Sequence, residues 1–391
     1  SDTLISSYGP VNADPPALDA IVYLDDATGW TPNGTKSGAW DYDLPGVTTN
    51  NTSFKGRLWV GRQNGSDLIS ERPIGTARRR AANSVSNLSL TNNGENKGLW
   101  YITAGSPSVL TVMADVSTEP PIYHDGIGLA FDNMTACVER GIVFRNGASN
   151  CRVEGVVVRG AVQAGIGVSN ISSNSVSDSN AFVDITVSSY VQEGAEIAGA
   201  NASRTVTNTY VSGLSLPTDG GEYEQDEGTT NDFSNANPIQ IGGFTDATYL
   251  NNIEYEGYNV HTVFDPILTS GEPPENVYVD GVVVTFLPGA TDGRAWGGYA
   301  AGGYFKNFRF TDAPARSQWA GSNFEIAYGL VESTGANTNK DPDNQFQAFK
   351  FATTDQPSGA TTSNLSIHDV EFDLTADPLI KAALWFEGYD A

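Results

Sequence analysis

One six-residue pattern of hydrophobic and polar positions recurs along the C-terminal part of this chain: apolar, any, Gly/Asn/Asp, apolar, any, apolar. It reads VEGVVV from Val153, FVDITV from Phe182, VSGLSL from Val211 and LNNIEY from Leu250. It returns as VDGVVV from Val279, FKNFRF from Phe305 and IHDVEF from Ile367. The starts at 153, 182 and 211 are 29 residues apart, as are 250 and 279, and the next step is 26. A weaker copy, FQAFKF from Phe346, falls off this period. The last two apolar residues alternate, so they face one side of a strand. The third position holds Gly155, Asp184, Gly213, Asn252, Gly281, Asn307 and Asp369. These residue types tolerate the left-handed backbone of a sharp bend, which lets the apolar residue before it point into the same interior as the pair after it.

Strand, one-residue corner and strand, repeated at this period, predict one coil of a parallel β-helix. Stacked coils bury an apolar column that no single coil buries alone. About ten coils at about 4.8 Å each make a rod of roughly 45 Å. A β-sandwich competes, but it does not naturally produce a fixed period. Amphipathic helical stretches are nearly absent, which argues against βαβ units. The expected class is all-β, a right-handed parallel β-helix over residues 126–391. CVERGIVFRNG at 137–147 and CRVEGVVVRGA at 151–161 are offset by 14 residues, about half a coil, and read as two sides of one coil. Whether Cys137 and Cys151 pair stays open.

Residues 1–125 lack the repeat and read as a capping or attachment region, since the open end of a solenoid needs cover. They carry Pro10, Pro15 and Pro16, and four of the seven Trp (Trp30, Trp40, Trp59, Trp100). AIVYL at 20–24 and RLWVG at 57–61 read as strands there. Nine Asn-x-Ser/Thr sequons occur, at Asn33, Asn50, Asn51, Asn64, Asn87, Asn133, Asn170, Asn201 and Asn364, compatible with surface glycosylation. Residues 218–232 and 286–304 interrupt the repeat and read as surface loops.

Charge narrows the setting. The chain has 46 Asp and Glu against 21 Lys and Arg, a formal charge of -25, and only seven Lys. In ordinary saline such a surface repels itself, whereas at molar salt the screening length falls to about 3 Å. The composition resembles that of proteins from halophilic archaea and their viruses; an acidic secreted protein is the alternative. Nucleic acid is not an expected partner, because phosphates repel this charge. No apolar run is long enough to span a bilayer, so membrane insertion is not expected. Two Cys make neither a disulfide scaffold nor a zinc site. The opening SDTLISSYGPVNADPP has no basic or apolar signal segment and reads as following either signal cleavage or removal of an initiator Met.

Candidate chemistry is sparse. Arg294, Trp296, Tyr299 and Tyr304 in the Gly-aromatic stretch suit a sugar, with rings for its faces and a guanidinium for its hydroxyls. They equally suit cover for the core. Glu222, Glu224, Asp226 and Glu227 in the acidic loop could supply oxygen ligands to calcium, or be a solvated acidic loop. DPDNQ at 341–345 opens like a calcium loop but lacks its later Gly and Glu. No catalytic residues are assigned: with this many acids chance carboxylate pairs are unavoidable, and there is no Ser-His-Asp signature, P-loop or dinucleotide fingerprint. No cofactor is expected beyond calcium.

The repeat resembles the right-handed β-helix superfamily, which includes pectate-lyase-like enzymes and the tailspikes of tailed viruses. The resemblance covers about residues 126–391 and brings no catalytic motif that maps residue by residue. With the acidic composition it implies a surface protein of a haloarchaeal tailed virus: a spike, fibre or capsid turret. Such a protein would contact other virion proteins, bind host surface glycan or glycoprotein, and form a homotrimer. A polysaccharide lyase or glycoside hydrolase, and a haloarchaeal cell-surface adhesin, are the alternatives. Fold analogy sets only a prior.

Overall fold

The computed structural model describes residues 3–6, 15–19, 22–23, 29–44, 56–60, 84–89, 100–113 and 127–131, then most of 140–387. Outside it in the latter stretch lie 162–163, 171–173, 189, 191–192, 218–236, 258–259, 261, 289, 291–292, 316, 338–346, 353–361 and 377–381.

From residue 140 onward every named strand pairs in parallel with the strand one coil later, which makes a right-handed parallel β-helix. Coil 1 is Arg140–Arg145 and Cys151–Arg159; coil 2 is Ala164–Asn170, Val176–Asp178 and Ala181–Ser188. Coil 3 is Glu193–Gly199 and Thr205–Leu216, coil 4 Ile239–Ile241 and Thr245–Gly257, and coil 5 Thr262–Pro266 and Glu275–Phe286. In coils 6 and 7 one unbroken strand rounds the turns, Arg294–Thr311 and Ser317–Glu332. Coil 8 is Gln347–Ala352 and Ser363–Asp373, and Ala382–Glu387 begins another. Eight complete coils thus stand among the described residues, somewhat fewer than the period predicts.

All seven sequence-predicted corners fall in one column. Gly155, Asp184, Gly213, Asn252, Gly281, Asn307 and Asp369 are stacked in register with an eighth member, Tyr328, at φ between 51° and 69°. A second column runs five residues earlier in every coil: Asn150, Ser179, Asn208, Ala247, Asn276, Gly302, Asn323 and Asn364, with φ between 49° and 84°. Each coil therefore has three faces. Face 1 carries the first strand of the coil. Face 2 is the four-residue run between the two corners, and face 3 follows the second corner. Asn side chains lash the corners together between coils: Asn208 Nδ2 donates to Asp178 Oδ1 at 2.8 Å and Asn276 Nδ2 to Asp246 Oδ1 at 2.7 Å.

The interior column Val153, Phe182, Val211, Leu250, Val279, Phe305, Ile326, Ile367 joins the motif starts in register. Each such buried side chain contributes about 1.5–3 kcal/mol. Coils 1–5 fill their interior mainly with Val, Ile and Leu. From coil 6 onward rings take over: Trp296 and Trp319 stack with centroids 4.8 Å apart, and Phe305 meets Trp319 edge-on at 5.4 Å.

Two expectations need correction. FQAFKF is not a displaced motif copy: Gln347–Ala352 lies on face 1, opposite the corner column, and the true seventh repeat surrounds Tyr328. Nor is the part of 286–304 from Arg294 onward a surface loop, because Arg294–Thr311 is a strand with Trp296 fully buried. The segment 218–232 and DPDNQ lie outside the described residues.

Ahead of residue 140 the pairing changes character. Trp30–Pro32, Ala39–Leu44, Ser108–Met113 and Trp100–Thr103 form an antiparallel sheet, and Val22–Tyr23, Ile127–Phe131 and Gly56–Val60 another. Val22–Tyr23 and Gly56–Val60 fall in the two stretches expected as strands, as far as these are described. Thr3–Ser6 and Ala17–Asp19, however, pair in parallel with Cys151–Arg159, so the solenoid ladder begins within the first twenty residues.

Candidate functional site

The four residues singled out as a glycan site do not form one. Trp296 is inside the core and Tyr299 is buried, so neither offers a face to a sugar. Arg294 lies on face 1 and Tyr304 on face 2, two different sides of the rod. Glu222, Glu224, Asp226 and Glu227 lie outside the described residues. Among the described residues no three His, Cys, Asp or Glu side chains gather as metal ligands. Cys151 Sγ points at the Ser149 carbonyl at 3.5 Å; Cys137 is outside the described residues. Of the sequons, Asn170 is buried, whereas Asn201 and Asn364 are exposed.

Arg294 instead belongs to a sheltered polar strip on the outside of face 1. A bulge sets it up: Gly194 N and Ala195 N both donate to the Pro238 carbonyl at 2.9 Å. Two successive residues therefore turn inward, and the pairs Val263–Phe264 and Ala295–Trp296 in later coils are likewise core. A bulge places two residues opposite one and re-aims the side chains around it. Glu193, Asn237, Thr262 and Arg294 then fall in one register column beside the bulge, and Glu196, Gln240, Asp265, Gln318 and Lys350 in another, with Asn237, Thr262, Asp265 and Lys350 buried. Gly297 keeps this strip open, since a Cβ there would lie 2.7 Å from Arg294 Cδ and 2.8 Å from Thr262 Oγ1.

Asp265 is the unusual member. It is buried, and Asn237 Nδ2 donates to its Oδ2 at 2.7 Å. Burial pushes its carboxyl pKa up to about 7, against a smaller opposing pull from the Arg294 guanidinium. Arg294 in turn donates to Gln318 Oε1 across the next coil. A carboxyl poised near neutrality in a polar strip can exchange protons, and a structural network perturbs a pKa in the same way.

Face 2 carries the other surface. Tyr210, Tyr249, Tyr278 and Tyr304 stand in one outward column over coils 3–6. Tyr249 and Tyr278 stack with centroids 5.0 Å apart, and Tyr278 and Tyr304 lie 5.1 Å apart. Lys306 Nζ sits 4.8 Å from the Tyr304 ring centroid and 2.7 Å from Glu325 Oε2. His368 extends this chain, with Nε2 2.9 Å from Glu325 Oε1 and Nδ1 2.8 Å from Asp369 Oδ2. Those two carboxylates hold the imidazole pKa above its usual value, and Lys306 followed by His368 holds that of Glu325 below. Among the described residues no partner for the four phenol hydroxyls is found. Tyr249 and Tyr278 turn their faces toward each other and present edges and hydroxyls, whereas the Tyr304 ring is tilted 54° from that of Tyr278.

Sequence reasoning named Tyr304 but missed its three companions and Asp265. The tyrosines were legible in principle: each lies one position before the first apolar residue of a motif copy. Asp265 was not, because the bulge removes the alternation that marks an outward position.

No family model matches the sequence, and neither does any curated protein. Among solved structures, the A-module of mannuronan C-5 epimerase AlgE4 from Azotobacter vinelandii matches over 64% of this chain and 76% of its own, with 10% identity and a TM-score of 0.25. Overlap at that level carries no argument about the site. The fold is that of a parallel β-helix, and the function must be read from the two outer faces themselves.

Proposed function

We propose that this chain is a surface protein that binds glycan along a β-helical rod in concentrated salt, as a spike, fibre or turret of a halophilic archaeal virus. The observation that carries the reading is the outward column Tyr210, Tyr249, Tyr278 and Tyr304, with hydroxyls that no described residue engages. A phenol hydroxyl both donates and accepts, as a sugar hydroxyl does. The formal charge of -25 supports the saline setting. In this reading residues 1–125 attach the rod to its virion partners, and three rods assemble together. The test is incubation in molar salt with host cell-surface glycans, following retention and chain length, for the native chain and a Tyr249→Ala/Tyr278→Ala variant. Retention lost in the variant supports the proposal; equal retention by both sinks it.

A second reading, a polysaccharide-cleaving enzyme, is favoured by one observation: the buried carboxyl of Asp265 in the polar strip. Shortened glycan chains that disappear with Asp265→Asn would select it.

A further inference from the structure

Resting on that reading, we infer that the tyrosine ridge takes an extended, uncharged polysaccharide lying along the rod, with about one sugar per coil. Three observations converge on this occupant.

The first is repeat length. Successive rings are 5.0 and 5.1 Å apart, set by the pairing of coils, and Tyr210 continues the column in register. An extended chain of equatorially linked pyranoses, as in a β-1,4-glycan, advances one sugar over nearly this distance. Each coil then meets one sugar, successive sugars turning opposite edges to the ridge, and every edge carries hydroxyls for the phenol beside it. A helical or axially linked chain drifts out of step after one or two coils.

The second is hydrogen-bonding chemistry. Burial, followed by Tyr249, Asp246 and Tyr304, raises the pKa of Tyr278, so its hydroxyl stays a neutral donor. Beside the column stand Ser212, Asn251 and Asp280 on coils 3–5, polar groups of the kind that fix sugar hydroxyls. Tyr249 and Tyr278, stacked on each other, cannot receive a sugar face between them, so there a chain meets ring edges and hydroxyls.

The third is charge. Away from face 1, the described acids of coils 3–6 are Asp246, Glu254, Glu256, Glu272, Glu275 and Asp280. Of the cations there, Lys306 and Arg309 are already paired with Glu325 and Glu332 at 2.7 Å. Arg204 is engaged with Asn174 at 3.2 Å. A uronate or sulfated chain would meet carboxylates such as Asp246 and Asp280, and the lysine beside the ridge, Lys306, is already paired with Glu325. Screening over about 3 Å does not remove repulsion between groups at contact.

The ridge is finite. Its column continues as Ala181 on coil 2 and Glu325 on coil 7, so only four tyrosines are in line. Calorimetric titration in molar salt with neutral β-1,4-oligosaccharides of increasing length should show affinity rising until the chain covers four sugars, then levelling. Uronate oligosaccharides of equal length should bind at least tenfold more weakly. Tyr278→Phe, which keeps the ring and removes only the hydroxyl, should cost up to about tenfold, the worth of one hydrogen bond. Uronates binding as well as neutral chains, or affinity indifferent to length or to Tyr278→Phe, would overturn the inference while leaving glycan binding standing. If neither neutral nor acidic glycans bind, the proposed function itself falls. Sedimentation of the native and Tyr278→Ala proteins covers the remaining case: self-association lost in the variant would mean that the ridge meets a second copy of this chain.

Discussion

Coils 1–5 and coils 6–8 build the same cross-section from different materials. The first group stacks mainly Val, Ile and Leu, and its corners recur 29 residues apart from Gly155 to Gly213 and from Asn252 to Gly281, with 39 between Gly213 and Asn252 where residues 218–232 are inserted. The second packs Trp296, Phe305, Phe308, Phe310, Trp319, Phe324 and Phe349 against one another and against Phe264 of coil 5, and its corners come at uneven steps: 307, 328, 369. Small side chains fill a coil independently of the next. Large rings reach across the coil boundary, and a neighbour must yield. Gly329 is the example: it occupies the apolar position of its coil because the Phe308 ring already fills the space, with its nearest atom 2.1 Å from where a Cβ would stand.

The sharpest way to break the aromatic half is Trp319→Ala, which should cost about 3–5 kcal/mol in denaturant unfolding. Trp319→Phe should cost far less. Both Trp296 Nε1 and Trp319 Nε1 are buried without a hydrogen-bond partner, and removing an unsatisfied donor recovers part of about 1–3 kcal/mol. Similar losses for the two variants would refute the idea that ring volume, and not the indole, is what matters.

At the seam between the halves, Asp265 makes stability depend on pH. Its folded pKa, about 7, lies above the ordinary aspartate value of 3.8, so between these values the folded chain holds the proton more often than the unfolded chain. Stability from this group is full below about pH 4 and declines as pH rises toward 7, by an amount on the order of a few kcal/mol. Asp265→Asn should flatten that decline in a urea-midpoint series; an unchanged slope would assign it elsewhere.

Gly329→Ala should cost about 1–3 kcal/mol through overpacking. In a double-mutant cycle Phe308→Leu should absorb most of that loss, whereas additive effects would mean that ring and glycine are not coupled. The smallest effect is at Tyr328, whose φ of 57° is unfavourable for a side chain of its kind. Tyr328→Asn should gain up to about 1 kcal/mol, less whatever its edge-on contact with His368 contributes. Thermal melts of the two proteins decide its sign.

The same contrast explains what could be read from the chain. Seven corners were legible because Gly, Asn and Asp mark a left-handed bend between apolar pairs. Tyr328 escaped because neither it nor Gly329 fits that pattern, and FQAFKF imitated it from another face. The second corner column was illegible for a different reason: Ser179, Ala247 and five Asn share no flanking apolar signature in a chain already rich in Asn. Of the candidate site, Arg294 and Tyr304 were found as residues but joined wrongly, since a strand rounding a corner separates neighbours in sequence onto different faces. The extent of the ridge and of the strip depends on register, which no single segment reveals.

The pairing of Thr3–Ser6 with Cys151–Glu154 has a consequence in time. Every later coil can dock on a predecessor that has already left the ribosome. The opening strand cannot, because its partner is made 148 positions later, from Thr3 to Cys151. At ordinary synthesis rates that is a wait of roughly 7–30 s. The rod must therefore gain its first rung after its second has been translated, and the antiparallel sheets encoded between them have that interval in which to fold.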